Sequence, residues 1–189
     1  VKLLEMLRTG EIDAAIMAEP FPDTGLAIAA LYDEPFLAAV PSTHPLAAHK
    51  TIQAEELKNE TMLLLGTGHC FRDHVLEVCP EFARFSSDAE GIRKSFEGSS
   101  LETIKHMVAA GMGVTLVPRL SVPKEALAPR GRRKADDATS FVRYIPFEGV
   151  PPSRRVVLAW RRSFTRYEAI AELRNAIYAC ELPGVQRLS

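Results

Sequence analysis

No apolar run in this 189-residue chain reaches the roughly 18–20 residues that a membrane-spanning helix needs. No signal-peptide pattern opens it. Cysteine is scarce. Three residues, an odd number without a regular framework, argue against a secreted disulfide scaffold. Neither sign of charge dominates: 23 Lys and Arg stand against 24 Asp and Glu, a formal net charge of −1. Such a chain has no global field drawing it to nucleic acid or to a membrane surface. Internal repeats and low-complexity segments are absent. These absences lead to the expectation of a cytoplasmic protein with no membrane partner. In that compartment a cysteine pair is catalytic, metal-binding or redox-active.

What is present is an ordinary globular composition, 47% apolar and 25% charged, enough for one sizeable core or two small lobes. The chain opens at Val1 without an initiator methionine. Leu3, Leu4, Leu7 and Ile12 already lie at near-helical spacing with no capping residue before them. The expectation is that a further segment precedes Val1 in the whole protein.

Mostly apolar runs at 12–18, 26–31, 36–40, 61–65, 114–118, 141–147 and 155–160 read as strands, and Ser95-Phe96-Glu97-Gly98 is expected to extend as another. Asp33-Glu34-Pro35 is expected to split the second from the third. Helical spacing appears at 1–8, 52–57, 101–110 and 167–180. Ser99 or Ser100 is placed to cap the third of these helices, and Gly111 to end it. Strands alternating with helices predict an α/β fold with a mostly parallel sheet. The basic run Arg130-Gly131-Arg132-Arg133-Lys134 reads as an exposed loop, because Asp136 and Asp137 follow it closely.

The densest chemistry lies between. Met62-Leu63-Leu64-Leu65 leads through Gly66-Thr67-Gly68 into a segment holding His69, Cys70, Arg72, His74 and Cys79. That order reads as strand, turn and helix, with Thr67 as N-cap and Cys70 at about the third helical position. The positive end of the helix dipole, together with His69 and Arg72, favours thiolate at Cys70. Pro80 ends the helix just beyond Cys79. Nine residues of helix rise about 13–14 Å, and nine steps of ~100° put the two cysteines on nearly opposite faces. A disulfide needs Cα atoms within about 7 Å. The pair can therefore join only if the helix is locally undone, the physics of a two-state switch. Three alternatives stay open on the residues alone. Cys79 can be a small buried hydrophobe. His69, Cys70, His74 and Cys79 can be weighed as metal ligands, although they match no familiar zinc spacing. Cys180 reads as packing on the last helix.

Taken together these residues resemble a known family. Gly68-His69-Cys70-Phe71-Arg72-Asp73, with Cys79 beyond, is similar to the redox-active segment of the peroxide-sensing LysR-type transcriptional regulators. Leu31-Tyr32-Asp33-Glu34-Pro35 resembles that family's crossover into a second subdomain, and Ser100-Leu101-Glu102-Thr103 through Gly111-Met112-Gly113 resembles its helix–strand unit. The cysteine pair is the specific part, since effector domains of the wider family share the rest.

The resemblance implies two Rossmann-like subdomains of periplasmic-binding-protein type joined by two crossover strands, one from residues 1–33 with 155–189 and one from 34–154. It implies that Cys70 reacts with hydrogen peroxide, that Cys79 resolves it as disulfide partner, and that His69 and Arg154 flank the reactive site. No cofactor and no resident metal are implied. The implied partners are hydrogen peroxide, further copies of the chain as dimer or tetramer, promoter DNA through a winged helix-turn-helix that this chain lacks, and RNA polymerase. In this reading the chain is a regulator and not an enzyme. A metabolite-binding effector domain and a thiol peroxidase are the rival readings. The family's first strand and helix, which carry hydroxyl groups near the peroxide, have no counterpart here, and the connection 81–97 is longer than in the family.

Overall fold

The computed structural model describes residues 2–22, 25–66, 70–80, 95–98, 100–127 and 141–188, with backbone alone at 70 and 95–97. In chain order the elements are α1 (Lys2–Thr9), β1 (Ala14–Ala18), β2 (Leu26–Pro41), β3 (Met62–Leu65), α2 (Cys70–Val78), β4 (Ser95–Gly98), α3 (Leu101–Ala109), β5 (Thr115–Pro118), β6 (Val142–Pro146), β7 (Ser153–Arg161), α4 (Tyr167–Ala179) and β8 (Gln186–Arg187). Short 3₁₀ turns fill several connections, among them Ala54–Leu57, where the sequence predicts a helix. The chain divides into two compact units, Val1–Pro35 with Ser153–Ser189, and Phe36–Pro152.

In the first unit β7 is central. It pairs with β1 from Ala14↔Trp160 to Ala18↔Val156, and with β2 from Leu26↔Arg161 to Pro35↔Ser153. β8 adds to the other side of β2 at Tyr32 and Asp33. Two small clusters hold this unit. Leu7 of α1 packs with Ala15, Leu26 and Ala159, and Ile170 of α4 packs with Leu31, Val156 and Leu158. The Arg161 guanidinium ties α1 to the sheet by donating 2.7 Å hydrogen bonds to the Leu7 and Ile12 carbonyls.

In the second unit the strand order is β4-β3-β5-β2-β6. β3 and β4 are parallel, while β2 is antiparallel to β5 and to β6. The link from β3 to β5 passes through Val114, whose N–H donates to Thr61 O and whose carbonyl accepts from Leu63 N, both at 2.8 Å. Thr115 reinforces it by donating its buried hydroxyl to Leu63 O at 2.7 Å. Phe36, Leu63, Leu64, Ile104, Leu116 and Ile145 are fully buried in one continuous core. Ser100 caps α3 by accepting from Thr103 N at 3.1 Å. The helix ends in a Schellman motif: Met112 N donates to Met107 O, Gly111 N donates to Val108 O, and Gly111 takes φ 78°.

Two expectations need correcting. The segments 26–31 and 36–40 are one strand, with a register shift between Ala30 and Tyr32 in place of a break. Cross-strand ion pairs at Asp33 and Glu34 hold the polar middle in the ladder, and Pro35, which cannot donate, still keeps register with Ser153. The burial along β2 records its change of unit. The first half alternates between covered and exposed positions, with Ile28 exposed, and from Phe36 to Pro41 every residue is buried. The sheets are also not mostly parallel. Among the described residues β3–β4 is the parallel strand pair, and β2 and β7 run antiparallel in the first unit. A strand that crosses between units and another that returns must run in opposite directions, which alternation of elements alone does not reveal.

Candidate functional site

α2 is built on the end of β3. Gly66 N still donates to Gly98 O at 3.2 Å, so the ladder runs past Leu65 and the helix starts at Cys70. Cys70 is thus the first helical residue, two positions nearer the N-terminus than expected. That places it in the first turn, where the helix dipole acts most strongly. Its side chain, and the whole of Thr67 and His69, lie outside the described residues, as does the basic run 130–134.

Beyond Cys70 the helix is fixed from below. Phe71, His74 and Val75 fall at helical spacing on one buried face. The Phe71 ring meets Phe36 edge-on at 5.4 Å, and His74 lies tilted against the same ring at 6.2 Å. Arg72, only 6% exposed, turns back and donates from Nη1 to Leu65 O at 3.0 Å, clasping the helix start to the strand end. Cys79 follows the last helical residue. Its N–H donates to Val75 O at 3.0 Å, and it is fully buried in the second unit's core. The backbone rise of about 1.5 Å per residue separates the Cα atoms of Cys70 and Cys79 by about 13 Å, roughly twice the span a disulfide tolerates. The packing reading of Cys79 and the switch reading therefore describe one place: a sulfur in the core that α2 must unwind to release.

Arg154 lies in the first unit, on β7. Its Nε and Nη2 donate to Glu34 Oε2 at 2.9 and 2.8 Å, and the Glu34 side chain is almost wholly buried. Next along the strands, Arg155 grips Asp33 with two 2.9 Å hydrogen bonds at the surface. Burial, and then the Glu34 carboxylate, push the neighbouring Tyr32 phenol above its ordinary value, with Arg154 opposing them. Removing Glu34 leaves a partly buried guanidinium without this carboxylate. Glu34→Ala is expected to destabilise the first unit by about 1–3 kcal/mol, read by urea unfolding, because truncating one partner of a buried pair strands the other. An unchanged midpoint would show that the pair contributes nothing.

Glu34 is the site component that the sequence does not name. Arg72 and His74 are named there, as a cation beside the thiolate and a candidate metal ligand, and their burial carries a signal: Arg72 stands i, i+3 from Val75 and His74 i, i+4 from Val78. Glu34 carries none, since its partner lies 120 residues away. Among the described residues no group of three or more His, Cys, Asp or Glu is arranged to hold a metal ion, and no helix is long and apolar enough to cross a membrane.

Residues 1–179 match the family model of the LysR substrate binding domain. The chain belongs to that family, and its fold is the periplasmic-binding-protein-like architecture the sequence predicts. Its relatives within the family include OxyR proteins. It is 35% identical over 179 residues to a probable hydrogen peroxide-inducible genes activator of Mycobacterium avium, covering 93% of this chain and 51% of that protein. A structure of a reduced form of OxyR from N. meningitidis superposes with a TM-score of 0.81 at 37% identity, over 100% of this chain and 80% of that one. A cysteine mutant of Corynebacterium glutamicum OxyR with hydrogen peroxide bound gives a TM-score of 0.76 at 30% identity, over 94% of this chain and 51% of that one. The chain spans about half the length of the curated relatives it matches.

Proposed function

We propose that this chain is the hydrogen-peroxide-sensing regulatory domain of a LysR-type transcription factor, switched by a reversible Cys70–Cys79 disulfide. The observation that carries the reading is α2 itself. One short helix begins at a cysteine and ends beside another, and the second is buried where the first cannot reach it. The chemistry balances with peroxide as sole oxidant. The Cys70 thiolate attacks one peroxide oxygen, the O–O bond breaks, and a sulfenic acid forms as hydroxide leaves and takes up the proton the thiol released, giving water. The Cys79 thiol then attacks that sulfur, the S–S bond forms and a second water leaves. Cys70 takes the first step because the helix N-terminus favours its thiolate, while Cys79 sits at the opposite pole of the dipole.

His69, and Arg154 with its Glu34 counter-ion, are proposed as the groups that flank the reactive cysteine. The disulfide would undo α2, remodel the loop after it and change how copies of the chain meet as dimer or tetramer. DNA contact and any contact with RNA polymerase belong to the whole factor, with promoter DNA bound through a winged helix-turn-helix outside this chain. The setting is the cytoplasm. One oxidation per event suffices, so no enzymatic turnover is assigned.

Cys79→Ala tests the reading because alanine fits a small buried site. Stoichiometric peroxide is expected to leave Cys70 as sulfenic or higher acid, trapped by a sulfenic-acid reagent, with no internal disulfide and no change in α2. Formation of a disulfide from Cys70 to Cys180 at the wild-type rate would overturn the assignment of Cys79.

A further inference from the structure

Apart from α2, the second unit holds a cavity of about 260 Å³ between α3, β6 and the turn after β5. Its floor is apolar, from Val142, Ala109 and the Tyr144 ring. Its polar groups are mostly donors. Tyr144 is 6% exposed and lines the cavity. Lys105 Nζ donates at 2.7 Å to Glu102 Oε1 and at 2.7 Å to Ser121 O, which leaves one of its three N–H groups over. His106, exposed on α3, also lines the cavity. A phenol and an ammonium lining one cavity can both donate to an incoming acceptor.

We infer that this cavity is a binding site for a small monocarboxylate with a compact apolar body. The carboxylate would accept from the Tyr144 hydroxyl and the remaining Lys105 N–H, with the body on Val142 and Ala109. Burial, and then the Glu102 carboxylate, push the Tyr144 phenol above its ordinary value, so the hydroxyl remains a donor at neutral pH. The size suits a ligand below the drug-sized class that fills roughly 300–1,000 Å³. Glu102 already spends one oxygen on Lys105, so it tempers the cation and sets a modest affinity for anions.

Benzoate titrated into the ¹⁵N-labelled chain is the test, with benzylamine as the opposite charge. Benzoate is expected to shift the amides of Lys105, His106, Val142 and Tyr144 saturably. Tyr144→Phe should weaken it about tenfold, the loss of one hydrogen bond to a charged group. Glu102→Gln should tighten benzoate and loosen benzylamine. Shifts elsewhere only, equal benzoate affinity in Tyr144→Phe, or benzylamine binding more tightly than benzoate would each overturn the proposal. So would benzoate shifts that vanish as chain concentration rises, which would give the cavity to a second copy.

Discussion

With Cys70 replaced by serine, one equivalent of hydrogen peroxide is expected to produce no internal disulfide, and a reporter driven by the whole factor is expected to lose its peroxide response entirely. Serine differs from cysteine by one atom, oxygen in place of sulfur. Its hydroxyl stays protonated at neutral pH, where a thiolate would be the nucleophile. The fold should be untouched, because Cys70 is the first residue of α2 and the buried face begins at Phe71. Its Tm should match the unmodified chain under reducing conditions. The variant thus separates reactivity from stability. A retained peroxide response would remove Cys70 from the mechanism.

Gly113→Ala is the opposite case, a change remote from the cysteines that should damage the scaffold beneath them. A Cβ at Gly113 would fall 2.4 Å from Thr61 O and 3.2 Å from Leu63 Cγ. Neither can yield cheaply. Thr61 O accepts from Val114 N, and Leu63 is fully buried in β3, the strand that launches α2. Overpacking of this kind costs about 2–3 kcal/mol, lowering Tm by roughly 5–10 °C for a chain of this size. Urea unfolding followed by circular dichroism measures it. Stability within experimental error of the unmodified chain would show that β3 and β5 can separate freely at this point, against the tight pairing described above.

Much of this site is local in sequence and could be read there. The helix from Cys70 toward Cys79, its stop before Pro80, the Ser100 cap and the Gly111 turn all depend on residues within a few positions of one another. The distance argument for the disulfide needs only helix geometry. What escaped detection is non-local. Asp33-Glu34-Pro35 reads as a break because three strand-poor residues stand together, yet Asp33 and Glu34 are held by Arg155 and Arg154 from a strand 120 residues later. The antiparallel pairing of β2 with β7 arises from the chain crossing between units and returning, which periodicity cannot encode. Arg72 reads in sequence as a cation near Cys70 that favours its thiolate. It is buried because the Leu65 carbonyl, left open where β3 ends, is within reach of its long side chain. The Gly66 to Gly98 hydrogen bond that carries the ladder past Leu65 is non-local in the same way.

The central claim is that peroxide joins Cys70 to Cys79 by undoing the helix between them. Trypsin cuts after Arg72, which places the two cysteines on separate peptides, 59–72 and 73–84. One measurement tests the claim directly: mass spectrometry of a digest made after stoichiometric peroxide and alkylation of remaining thiols. The account predicts one dominant disulfide-linked species joining 59–72 to 73–84, which collapses to the two separate peptides on reduction. Recovery of both peptides alkylated, with peroxide consumed elsewhere or not at all, would contradict it.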